Sequence, residues 1–143
     1  MITLVTIFVL MMAQTPQASL DQIRTDPNLE HRARVAVDFA AVAERNAESA
    51  YSKGDMAAVT AELKTMEAAV SLADKALKET GKSAMRHPGP YKYGELKTQE
   101  ILSRLGDLDH RMEPDERPAL EGPRTKVQEI HDAWFDGIMS KRK

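Results

Sequence analysis

The sequence predicts an all-α protein: a four-helix up-down bundle headed by one long antiparallel helical hairpin over about 27-53 and 56-80. Three observations carry this expectation. Apolar residues recur at alternating spacings of three and four through most of the chain, the rhythm of a buried helix face. Gly and Pro interrupt that rhythm only at a few points, where turns belong. Beyond the first few residues no segment alternates with the period of two that a half-buried strand needs.

The first helix of the hairpin is expected from Asp26-Pro27, an N-cap residue followed by proline where a missing N–H costs nothing. Leu29, Ala33, Ala36, Ala40, Ala43, Ala47 and Ala50 then form a heptad seam of small residues, flanked by Val35, Phe39 and Val42. Arg34, Asp38, Arg45 and Glu48 fall on the other side of the helix. Gly54 supplies a left-handed C-cap and Asp55 caps the next helix. There Met56, Val59, Leu63, Met66, Val70, Ala73 and Leu77 repeat the spacing with larger side chains. Helices of about 25 residues run roughly 38 Å, and a short turn between equal helices makes them antiparallel neighbours. Alanines facing Leu, Met and Val allow a close approach that still fills the seam.

Gly81 to Pro90 is expected to be a loop. A third helix follows at about 91–112, with Ile101, Leu102, Leu105, Leu108 and Met112 on its apolar face. The stretch from Glu113 to Pro118 turns the chain. The fourth helix is expected to become firm near Pro123, because Gly122-Pro123 interrupts a helix already under way. Its buried face comprises Val127, Ile130, Trp134, Phe135 and Ile138.

At the N-terminus residues 1–20 carry no charge, and the apolar run from Ile2 to Ala13 is followed by small and polar residues. Twelve residues are too few to span a bilayer, which takes about 20. The run reads as the apolar region of a signal peptide over residues 1–18, cleaved after Ala13 or Ala18, although no Lys or Arg precedes it. The alternative is a buried N-terminal strand or helix. The expectation is an exported, periplasmic or extracellular protein whose residues 19–143 form a single helical domain.

Composition narrows the functional classes. The 143 residues include 20 Lys+Arg, 22 Asp+Glu, 4 His and no Cys, for a net charge of −2. Without cysteine there is no disulfide framework, thiol nucleophile or thiolate-held metal. The near-neutral balance disfavours broad nucleic-acid binding. No nucleophile elbow, zincin helix, phosphate loop or dinucleotide turn is present, so no catalytic activity is expected.

Of the histidines at 31, 87, 110 and 131, His131 shares a side with the apolar stripe of the fourth helix. It is the candidate ligand for haem or a metal, set against an ordinary boundary histidine bonded to a carboxylate or carbonyl. The stretch from Asp55 to Ala76 (DMAAVTAELKTMEAAVSLADKA) resembles the second helix of cytochrome b562, an exported four-helix bundle that holds haem between Met and His. The resemblance implies a bundle architecture; the first helix here has no methionine for the axial position, which a His31/His131 pair would have to fill. Asp107, Asp109, His110, Glu113, Asp115 and Glu116 form an acidic group around a histidine, read as a solvated helix end. Lys82, Arg86, His87, Lys92 and Lys97 surround Tyr91 and Tyr93, a pattern that binds phosphate or nucleic acid, or a pair of aromatic plugs at the bundle end. The functional expectation is an exported, non-catalytic binding or structural module with an unidentified protein as partner; the alternative is a haem- or metal-binding bundle using His131.

Overall fold

The computed structural model describes residues 16–140, with side chains from Ser19 onward. Five helices are present among them: α1 (Pro16–Arg24), α2 (Leu29–Ser52), α3 (Met56–Glu79), α4 (Pro88–Arg111) and α5 (Pro118–Met139). The four long ones form the expected bundle. No strand occurs among the described residues.

The hairpin of α2 and α3 closes by hydrogen bonds that the sequence Lys53-Gly54-Asp55 makes possible. Gly54 takes φ +73°, which suits glycine, and its N–H bonds to the Tyr51 carbonyl at 2.9 Å while the Asp55 N–H bonds to Ala50 at 3.0 Å. That is a Schellman pairing, which satisfies the last carbonyls of α2. The Asp55 carboxylate then accepts from the Ala58 N–H at 3.0 Å, so one residue ends one helix and caps the next. At the other end of α2 the boundary differs from expectation. Asn28, not Asp26, caps the helix by accepting from the His31 N–H at 3.0 Å. Asp26 lies just before it, accepting from the Asn28 N–H and pairing with the His31 ring.

Helix α1 adds to the expected elements. It begins at Pro16 and ends at Arg24, and its Leu20 is buried in the main core against α2 and α3, with Ile23 packed beside it. The run from Ile2 to Ala13 and the candidate cut after Ala13 lie outside the described residues, whereas Ala18 falls within α1. Helix α4 starts earlier than a loop from Gly81 to Pro90 would allow. Pro88 and Pro90 occupy its first turn, where backbone N–H groups have no intrahelical partner, so both prolines are tolerated. Helix α5 likewise starts at Pro118 and continues through Pro123, whose ring is buried; the helix gives up one backbone bond near its start and keeps its core face.

The helices alternate in direction along the chain, but successive helices are not all neighbours. Tyr93 reaches Asp38 near the starts of α4 and α2, Arg104 reaches Glu44 midway, and Arg111 reaches Ser52 near their ends, so α2 and α4 lie parallel and adjacent. Helix α5 packs against α3 and α4. The segment 80–87 therefore crosses the end of the bundle diagonally, instead of joining adjacent helices as in the simplest up-down arrangement. Tyr91 pins it there by donating to the Lys82 carbonyl at 2.9 Å, and Ala84 is buried against α5 beside Gly137. The starts of α2 and α4 are thus held at the same end.

The seam is as expected, with Ala33, Ala36, Ala40, Ala43 and Ala47 buried against Val59, Leu63, Met66, Val70 and Ala73 in one continuous core. Its width is corrected on two sides. Val42 is exposed, while Val37, Ala41 and Glu44 are buried where α4 covers α2. On α5, Phe135 is 45% exposed, not part of the buried face, because that face follows Val127, Ile130 and Trp134.

Candidate functional site

A cleft of about 510 Å³ lies between the first turns of the parallel helices α2 and α4. Ala33 and Val37 of α2, Ala73 and Leu77 of α3, and Gly94 and Trp134 of α4 and α5 give it apolar walls; Glu30, His31, Arg34 and Tyr93 add polar groups. The size is that of a small-molecule site, as is the mix of apolar lining with few polar groups.

Each wall has a local cause. Trp134, the only tryptophan, is 2% exposed and donates its indole N–H to Asp74 at 3.1 Å, which fixes the ring between α3 and α4. Gly94 is required opposite it: a Cβ there would stand 2.6 Å from Trp134 Cζ3. Tyr93 donates its hydroxyl to Asp38, and that bond holds the phenol proton above its usual range. The Arg34 guanidinium lies over the Tyr93 ring, 4.4 Å from its centroid, and Lys97 approaches at 5.9 Å. Stacking of this kind favours a planar cation over an aromatic face.

His131 is not in the cleft lining. Its Nε2 faces Glu95 at 3.1 Å and its Nδ1 faces Asp132 at 3.1 Å, with Phe135 stacked alongside at 6.2 Å. The Asp132 carboxyl is held below its usual range by that contact. Both ring nitrogens are engaged by carboxylates, so a metal would have to displace one of them. His31 lies at the other side of the cleft, its Nδ1 bonded to Asp26. Among the described residues no group of three His, Cys, Asp or Glu is arranged to hold a metal ion.

The two charged groups read from the sequence resolve differently. In the acidic stretch Asp109 faces Arg117 and Arg124 at 4.0 Å, His110 Nδ1 bonds to the Gly106 carbonyl at 2.8 Å, and Glu116 accepts from Tyr51 and the Glu113 N–H. These are contacts that finish α4 and start α5. In the basic stretch Tyr91 is the plug that seats the crossing segment, whereas Tyr93 belongs to the cleft.

A further polar cluster has no counterpart in the sequence reading. Glu44 is fully buried between α2 and α4; Arg104 donates to it at 3.0 Å and to Glu48 at 2.9 Å. Glu44 Oε1 has no hydrogen-bond partner among the described residues. Burial, and then the neighbouring Glu48 carboxylate, push the Glu44 carboxyl up to about 8. A protonated Glu44 beside Glu48, with the Arg104 guanidinium bonded to both, avoids burying two full negative charges.

No family model matches the chain, and no curated protein or solved structure is significantly similar to it. Among the described residues no helix is long and apolar enough to cross a membrane.

Proposed function

We propose that the chain is an exported, non-catalytic binding module whose ligand enters the cleft at the starts of α2 and α4. The observation that carries this reading is the cleft itself, about 510 Å³ with apolar walls from four helices and a stacked Arg34-Tyr93 pair beside them. Export rests on the uncharged apolar N-terminal run. The non-catalytic assignment rests on the sequence, which holds no nucleophile elbow, zincin helix, phosphate loop or dinucleotide turn.

The test is a titration of the purified protein with anilinonaphthalene sulfonate, an apolar fluorescent anion. Saturable binding at one site per chain with energy transfer from Trp134 is expected. Unsaturable binding with no change in Trp134 emission overturns the reading. A second reading, docking of a protein partner, is favoured by the exposed Phe135 and Met139 one turn apart on α5. Crosslinking in the native host, followed by mass spectrometry, that reproducibly captures one protein on α5 would support it. The haem or metal alternative rests on His131 and on the cytochrome b562 resemblance of Asp55 to Ala76, and absorbance on haem addition that is unchanged by His131→Ala would dismiss it.

A further inference from the structure

Around the cleft described above, most cations are matched by carboxylates. Lys82 pairs with Glu30 at 3.1 Å, Lys97 approaches Glu100 at 3.9 Å, Arg32 approaches Glu79 at 3.6 Å, and the His31 ring meets Asp26. Arg34 differs: it contributes to the cleft lining, rests on the Tyr93 ring, and forms no ion pair among the described residues. Asp38, one helical turn along, is in reach of a residue at position 34 by spacing, but it forms no ion pair with Arg34, and one of its carboxylate oxygens accepts from the Tyr93 hydroxyl. Tyr93 thus both lies under the guanidinium and engages one oxygen of that carboxylate.

A guanidinium carries five N–H donors in a planar fork that matches a carboxylate bidentately. The positive ends of α2 and α4 lie at the same end of the bundle, and Asn28 and Gly89 from those ends line the cleft. Glu30 is the one carboxylate among the described lining residues, and Lys82 offsets it. The apolar remainder, Ala33, Val37, Ala73, Leu77 and Trp134, is buried and forms the floor of the cleft, with no hydrogen-bonding side chain except the indole N–H, which Asp74 already accepts. The complementary ligand is therefore apolar for most of its length and anionic at one end.

Resting on the cleft as the binding site, we infer that its ligand is a small apolar monocarboxylate, seated with its chain against Val37, Leu77 and Trp134 and its carboxylate on Arg34. A free acid is favoured over a protein terminus because the apolar lining offers no hydrogen-bonding side chain for a flanking peptide backbone.

The experiment compares octanoate with 1-octanol, which share an apolar chain and differ in charge, by Trp134 fluorescence on the full chain and on Arg34→Met. That variant keeps an unbranched apolar stem and loses the charge. Octanoate is expected to bind roughly tenfold more tightly than octanol, the scale of one charge-assisted contact, with the preference lost in Arg34→Met. Arg34→Lys should retain part of it, since a point charge remains without the fork. Equal binding of acid and alcohol, both perturbing Trp134, overturns the carboxylate assignment while the cleft survives as the site. No response to either overturns both. A short peptide ending in leucine that binds more tightly than octanoate, and loses that binding on amidation, overturns the free-acid assignment in favour of a protein terminus. Urea melts of the variants confirm that each is folded before its affinity is compared.

Discussion

The substitution Glu44→Gln should remove a pH dependence of stability that the native chain carries between mild acid and mild base. The folded Glu44 carboxyl titrates near 8 against an ordinary value of 4.5, chiefly because it is fully buried and faces Glu48. In the window between those values the native state holds a proton that the unfolded chain has released. Stability therefore falls as pH rises through the window; below it the unfolded chain is protonated as well, and no penalty remains. One pKa unit corresponds to about 1.36 kcal/mol, so raising the pH from about 5.5 to 7.5 should cost the native chain on the order of 2 to 3 kcal/mol from this group. A glutamine side chain cannot ionise, and the variant's slope over the same interval should lack this contribution. The assay is urea unfolding of both proteins at several pH values, with the difference between them isolating Glu44 from the histidines. Parallel pH profiles would refute the reasoning and mean that Arg104 neutralises an ionised Glu44.

The packing of the hairpin makes Ala40→Leu destabilising by roughly 1 to 3 kcal/mol in urea melts, because Ala40 has no exposed surface and faces the side chains of α3. The solvent-facing control Asn46→Leu should change stability by less than about 0.5 kcal/mol; Glu48 does not serve as a control, being bonded to Arg104. Gly94→Ala gains about 1 kcal/mol of helix propensity yet drives a Cβ into the Trp134 ring, so a net loss of about 1 to 2 kcal/mol with a shifted Trp134 emission is expected. Asp55→Ala removes the N-cap of α3 and should cost about 1 kcal/mol by thermal or urea unfolding. N-terminal sequencing of protein recovered outside the cytoplasm should begin between Gln14 and Ser19, whereas cytosolic protein with Met1 intact would contradict export.

The long hairpin is legible in the sequence because its signals are local. Alternating spacings fix the seam, and Gly54-Asp55 fixes the turn, each through backbone physics that needs no tertiary context. Pro88, Pro90 and Pro123 make the helix boundaries ambiguous because proline ends a helix or begins one, and only the register of the following face decides which. Glu44 is hidden for a related reason. Val37, Ala41 and Glu44 form a second stripe at spacings of four and three, but a carboxylate on an apolar face looks like its edge until Arg104 is placed against it. The cleft is legible only as unconnected residues. Tyr93 and Trp134 each stand out in the sequence, yet their meeting depends on α3 and α4 being joined across the diagonal, which no periodicity encodes. Phe135 reads as inward beside its neighbour Trp134, although one residue along a helix is a rotation of about 100°.

The measurement that bears most directly on the cleft as a ligand site is an amide chemical-shift map of the isotopically labelled chain titrated with octanoate. Saturable shifts concentrated at residues 28–37, 73–77 and 89–94 and at the Trp134 indole are the predicted result. Shifts confined to the exposed face of α5 around Phe135 and Met139, or spread over the surface without saturation, would contradict it.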